Sequence, residues 1–170
     1  MTHLWEMKQM QNDDEVRKAK LRAMKLLERR DYTEAGLRRK LMTDQYTDEV
    51  IGEAVEYVKS YGYIDDLRYA QNYVRCNSSS RSRRDITSRL LSKGVASELI
   101  DIALESEGAD EAEEAKLIRR LILKKCKDPA GLDNTGRQKL YAYMYGKGFD
   151  THRVDKILDE LALDITYEKG

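Results

Sequence analysis

Arg81, Arg83, Arg84, Arg89 and Lys93 crowd one short stretch of the sequence, Arg38-Arg39-Lys40 stand together upstream, and Arg119, Arg120 and Lys124 follow downstream. A guanidinium is a planar fork of N–H donors that meets phosphate or carboxylate oxygens two at a time, and lysine adds a mobile point charge. Clusters of this kind suit an extended polyanion or an acidic protein surface. Base identity is not what they read, because no set of Asn or Gln accompanies them to match base edges. Covalent chemistry finds no comparable support. The two histidines, His3 and His152, stand alone and far apart, and the chain has no Gly-x-x-x-x-Gly-Lys-Ser/Thr loop, no His-Glu-x-x-His pair and no Gly-x-Ser-x-Gly elbow. Asp65 and Asp66 lack the further oxygen ligands a hard cation takes and read as helix caps, and Asp128 to Asp133 lacks the spaced acids and closing glutamate of a calcium loop. The expectation is no catalytic residue, no metal and no cofactor.

Charge is balanced overall, with 31 basic and 31 acidic side chains, yet it is segregated along the chain. Leu21 to Lys40 is basic, Asp44 to Asp66 acidic, Arg81 to Lys93 basic, Glu98 to Glu114 acidic and Lys116 to Lys127 basic. A neutral protein patterned this way still presents basic stripes to a polyanion. With 41% apolar and 36% charged residues the chain is too apolar for disorder and too charged for one large buried sheet. Cys76 and Cys126 form no Cys-x-x-Cys pair and no disulfide framework. The start of the chain lacks the apolar core of a secretory signal, and no run reaches the length of a membrane span. These features predict a soluble, cytoplasmic protein with no membrane partner.

The elements that must position the cations are helices. Ile86, Leu90, Val95, Ile100 and Leu104 step by four, five, five and four, as do Leu37, Leu41, Tyr46, Ile51 and Val55, and again Leu140, Met144, Phe149, Val154 and Leu158. Each set reads as two short helices joined at a corner, and the recurrence predicts an internal threefold repeat. A helical stripe precedes each pair, so the predicted fold is all-α, with three tandem three-helix repeats in an elongated, curved array. The expected divisions are a mobile leader at 1–12, repeats at 13–62, 63–108 and 109–163, and a frayed tail from 164 to 170.

Within the first repeat, Asp13 or Asp14 is the expected start of helix one, whose stripe is Val16, Ala19, Ala23 and Leu27, widened by Leu21, Met24 and Leu26. Thr33 and Ser82 are expected caps of the basic helices, and Asp110 with Glu113 has capping-box spacing. Pro129, Gly131 and Gly136 read as an irregular link. Gly94 and Gly148 supply the left-handed residue that lets one helix leave for the next. Gln45 holds that place in the first repeat, which predicts a different corner there, with the exit at Asp44.

Gly62-Tyr63-Ile64-Asp65-Asp66 with Tyr69-Ala70, Arg81 to Leu90 followed by Lys93-Gly94-Val95, and Leu37-Arg38-Arg39-Lys40-Leu41 together resemble the RecX family of regulatory proteins, from about Val16 to Leu161. One departure lies at Ser80 to Arg84, where that family often carries a glycine. The resemblance implies tandem three-helix repeats and a monomeric, non-enzymatic regulator of recombination, DNA repair and the SOS response. Such a protein binds RecA filaments on DNA, lies in the filament groove and inhibits strand exchange, ATP hydrolysis and filament growth. RecA and the DNA backbone are the implied partners, and the basic residues named above are the candidate contacts. A free-standing helical DNA-binding protein is the competing reading.

Overall fold

The computed structural model describes the backbone of residues 2–168 and the side chains of residue 7 and residues 9–164. Helices α1 (Thr2–Leu27), α2 (Glu34–Thr43) and α3 (Asp48–Ser60) come first, then α4 (Asp66–Asn77), α5 (Arg83–Ser92) and α6 (Ser97–Ser106), and finally α7 (Glu111–Lys125), α8 (Asn134–Tyr145) and α9 (Thr151–Glu168). No strand occurs among the described residues. The chain packs as two compact units, one of residues 1–70 with 91–99 and one of 71–90 with 100–170. Residues of the middle helical trio are therefore divided between the two.

In the first unit α1 contributes Val16, Ala19, Ala23 and Leu26 to a core completed by Leu37 and Leu41 of α2 and by Val50, Ile51, Ala54, Val55 and Val58 of α3. Ala19 and Ala23, both fully buried, let α1 lie close against α3. Leu21, expected in the stripe, is 56% exposed. The helix also starts earlier than Asp13: its backbone is helical from Thr2. The segment from Thr2 to Leu27 contains neither Gly nor Pro, and once a helix is nucleated each added Met, Lys, Gln or Glu costs little to propagate. The leader expected at 1–12 is thus helical backbone from Thr2, while the side chains of Leu4 and Trp5 lie outside the described residues. In the second unit Leu117, Ile118, Leu121 and Ile122 of α7 pack with Leu140 and Met144 of α8, with Phe149, and with Val154, Ile157, Leu158 and Leu161 of α9. Helix α9 continues past Asp164 to Glu168, and Arg119 of α7 holds Asp164 at 3.2 Å.

Local signals set most helix starts. Thr33 Oγ1 accepts from the Gly36 amide at 3.0 Å, Ser82 Oγ from the Asp85 amide at 3.0 Å, and Asp110 Oδ1 from the Glu113 amide at 2.8 Å. Each satisfies an amide that has no partner inside its helix. Only half of the expected capping box forms, since the Glu113 carboxylate holds Lys116 at 2.6 Å instead. Gly136 belongs to the first turn of α8, not to the link, and its amide donates to the Asp133 cap at 2.7 Å. No glycine is needed before α5: the turn after Asn77 closes with Ser80 and Arg81 amides donating to the Asn77 carbonyl, both at 3.0 Å.

The corners carry the main departure from expectation. Gln45 adopts φ +68°, in the same left-handed region as Gly94 at +86° and Gly148 at +83°. The first corner therefore has the geometry of the others. A side chain in this region is strained by roughly 1–2 kcal/mol, and glycine relieves the strain at some cost in chain entropy. Gln45→Gly is expected to stabilise the protein by about 0.5–1 kcal/mol, read as a rise in the denaturant midpoint; a fall would show that the Gln45 side chain contributes more than the strain removes.

Candidate functional site

In the first unit, α2 presents Arg38, Arg39 and Lys40. Glu34, in the first turn of the same helix, takes Arg38 Nε at 3.1 Å and Lys59 Nζ at 2.9 Å. The Lys59 hydrogen bond, helped by Arg38 and opposed by burial, holds the Glu34 carboxyl below its ordinary range. Lys40 lies near Asp44, whose carboxyl is held low chiefly by its hydrogen bond from Arg22. Arg39 Nη2 donates to the Lys93 carbonyl at 3.3 Å, and Thr33 Oγ1 donates to the same oxygen at 2.7 Å. Sequence proximity groups Lys93 with Arg81 to Arg89; the folded chain joins it to Arg39.

The Gly62 to Asp66 motif is a structural device of this unit. Gly62 turns at φ +70°, and the Tyr63 amide returns to the Val58 carbonyl at 3.0 Å. Asp65 caps its own helix through the Arg68 amide at 2.9 Å, whereas Asp66 reaches across to the Glu34 amide, the first of α2, at 2.8 Å. Burial pushes the Asp66 carboxyl up, partly offset by that hydrogen bond.

In the second unit, Asp85 Oδ2 is the hub. Arg81 Nη1 lies 2.9 Å and Arg89 Nε 2.8 Å from it. Burial pushes the Asp85 carboxyl up, but the hydrogen bonds from Arg89 and Arg81 outweigh burial and leave it below its ordinary value. Arg119 bridges Glu160 at 3.1 Å and Asp164 at 3.2 Å, Arg120 donates to the Ser79 carbonyl at 3.0 Å, and Lys124 is exposed in the last turn of α7. Arg83 and Arg84 differ from all of these. They are the first two residues of α5 after the Ser82 cap. Only the backbone of Arg83 is engaged, donating to Glu114 Oε1 at 2.8 Å; neither side chain has a carboxylate partner among the described residues. Sequence reasoning passed over Arg153, which braces the other oxygen of Glu114 at 2.8 Å. No local signal marks it, since its partner lies 39 positions away.

The same joint recurs in both units. A carboxylate, Asp66 or Glu114, takes the first amide of α2 or α5, while the corner Lys93-Gly94 or Lys147-Gly148 presses on the helix start: the Lys93 carbonyl accepts from Thr33, and the Lys147 carbonyl accepts from the Ser82 amide at 3.1 Å. The basic helices α2 and α5 are thereby held by their N-termini.

Because Glu34, Asp44 and Asp85 titrate below their ordinary values, the unfolded chain binds protons at those sites more readily than the folded one. Their contribution to stability is present above the ordinary carboxylate range and is lost as pH falls through the lowered values; Asp66, raised, acts in the opposite sense. The denaturant midpoint is expected to fall on acidification below about pH 4.5, and Asp85→Asn to flatten that fall. A midpoint independent of pH down to about 3 would contradict it.

Among the described residues no helix is long and apolar enough to cross a membrane, and no group of His, Cys, Asp or Glu is placed to hold a metal ion. Three family models match in tandem: the first three-helix domain of RecX over residues 19–57, the second over 65–104 and the third over 111–158. A regulatory protein RecX of Caldanaerobacter subterraneus subsp. tengcongensis is 38% identical over 148 residues, covering 85% of this chain and 71% of its own length. One from Trichlorobacter lovleyi is 32% identical over 145 residues, covering 82% and 93%. The crystal structure of RecX from Lactobacillus salivarius superposes with a TM-score of 0.74 at 23% identity, over 89% of this chain and 99% of that one.

Proposed function

The chain belongs to the RecX family of regulatory proteins, and from that premise we propose that it regulates homologous recombination by binding RecA filaments on DNA. In this reading it lies along the filament groove as a monomer, acts in the cytoplasm, and inhibits strand exchange, ATP hydrolysis and filament growth without catalysing a reaction. Three working repeats, 13–62, 63–108 and 109–163, each offer weak basic contacts, and linked weak contacts raise the effective concentration of one another.

One observation carries the anionic partner. Arg83 and Arg84 fill the first two positions of α5, where the helix dipole favours acidic side chains and disfavours basic ones, and neither is neutralised by a carboxylate among the described residues. A local rule broken without an internal compensation points to an external one. The deciding experiment compares binding of the full chain to bare single-stranded DNA with binding to the same DNA coated by RecA, at matched salt. Tighter binding to the coated DNA is the expected result. Equal affinity for the two would transfer the reading to a free-standing DNA-binding protein.

A further inference from the structure

We propose that a recess of the first unit, at the start of α2, receives a single phosphate group of a nucleic-acid backbone, held by Arg30 and Arg39 with Lys93 beside them. This rests on the reading that the chain contacts DNA and says where one such contact is made. The recess has a volume of about 290 Å³, and its walls include Arg30, Tyr32, Arg39, Tyr69 and Lys93, with Asp31 as the one acid. Arg30 and Arg39 alone already outnumber the single carboxylate, Asp31, and leave the recess positive.

The two arginines are positioned but not neutralised. Arg39 spends one donor on the Lys93 carbonyl at 3.3 Å, which anchors the guanidinium and leaves the rest of its fork for an acceptor. Arg30 lies with Cζ 4.5 Å from the centre of the Tyr32 ring; that contact uses the face of the guanidinium and leaves its N–H edge unspent. Arg22, Arg38, Arg75, Arg81, Arg89, Arg119, Arg137 and Arg153 each meet a carboxylate, whereas Arg30 and Arg39 do not among the described residues. The recess of the second unit, about 440 Å³, offers a contrast: its lining counts four cations, Arg81, Arg83, Lys116 and Arg120, and four acids, Glu107, Asp110, Glu113 and Glu114, and so carries no excess charge. Of these two recesses, that of α2 combines concavity, excess positive charge and arginine forks with donors to spare. A phosphodiester, with one charge and two terminal oxygens, matches two forks.

The test uses the full chain and a fluorescein-labelled oligothymidylate, with affinity measured across a salt series. Arg30→Ala with Arg39→Ala is expected to weaken binding about tenfold and to reduce the slope of log affinity on log salt by about 0.7, the value for one single-strand phosphate. Arg39→Lys in an otherwise unchanged chain should keep the slope and lose part of the affinity. The control pair Arg17→Ala with Lys18→Ala, both exposed, should leave the slope unchanged. An unchanged slope in the first double variant, with its circular dichroism melt unaltered, overturns the recess while leaving RecA-filament binding standing; so does an equal loss in the control pair. Equal wild-type affinity for bare and RecA-coated DNA overturns the regulatory reading instead.

Discussion

Gly148→Ala is expected to lower stability by about 2–4 kcal/mol, and Gly94→Ala by a similar amount, while Gly62→Ala and Gly108→Ala lose only about 1–2 kcal/mol. All four glycines turn at positive φ, so all four alanines meet the same backbone strain. Only two meet a neighbour. A β-carbon at 148 would stand 2.6 Å from both Ser82 Oγ and Asp85 Cβ, and one at 94 would stand 2.3 Å from Ala35 Cβ, whereas nothing lies within 4 Å at 62 or 108. Overpacking of this kind typically adds about 1–3 kcal/mol. At 148 it would also push on the residue that caps α5 and on the carboxylate that holds Arg81 and Arg89. Urea denaturation of the four variants in parallel is the measurement, and four equal losses would show that the corners do not bear on the helix starts. Gln45 completes the comparison: it turns at positive φ like the glycines, but its corner is exposed, so a side chain there is strained without being crowded.

Charge reversal at Arg83 and Arg84 is expected to weaken filament binding on the order of 100-fold, since each substitution removes an attraction and adds a repulsion. The fold should tolerate it. Neither side chain holds another group among the described residues, the Arg83 amide that bonds Glu114 is unaffected by the side chain, and glutamate at the first two helical positions favours the dipole by about 0.3–1 kcal/mol. Glu114 is nearby but is already braced by Arg153. The double variant Arg83→Glu with Arg84→Glu is therefore expected to melt at or above the wild-type midpoint while losing affinity. Wild-type affinity would remove α5 from the contact surface. A steep salt dependence of the remaining binding would assign the other contacts to phosphates, and a shallow one to protein.

Much of the fold is legible because its determinants act over a few residues. Thr33, Ser82 and Asp110 cap helices three residues ahead of the amides they hold, and the apolar steps through Val95 and Phe149 mark two helices and a corner wherever they occur. The candidate site is legible only as composition. The arginines are visible in the sequence, but which are spent is not: Arg81 and Arg89 are held by Asp85 only four residues away, Arg39 by a carbonyl 54 positions on, and Arg119 by acids more than 40 positions on. Periodicity placed the start of α1 near Asp13, whereas its backbone is helical from Thr2, because periodicity registers an apolar stripe and the first turns carry no such period.

Three similar trios of helices can be read along the chain, because helical period, capping and left-handed corners are encoded within a turn or two. Folding brings Ala35 against the corner at 94 and Ser82 and Asp85 against that at 148, sets Asp66 and Glu114 at the starts of α2 and α5 from 32 and 31 positions away, and leaves Arg30, Arg39, Arg83 and Arg84 without carboxylates among the described residues. Those outcomes depend on which distant groups are brought within about 3 Å of one another, and sequence spacing carries no distance once the chain has turned a corner.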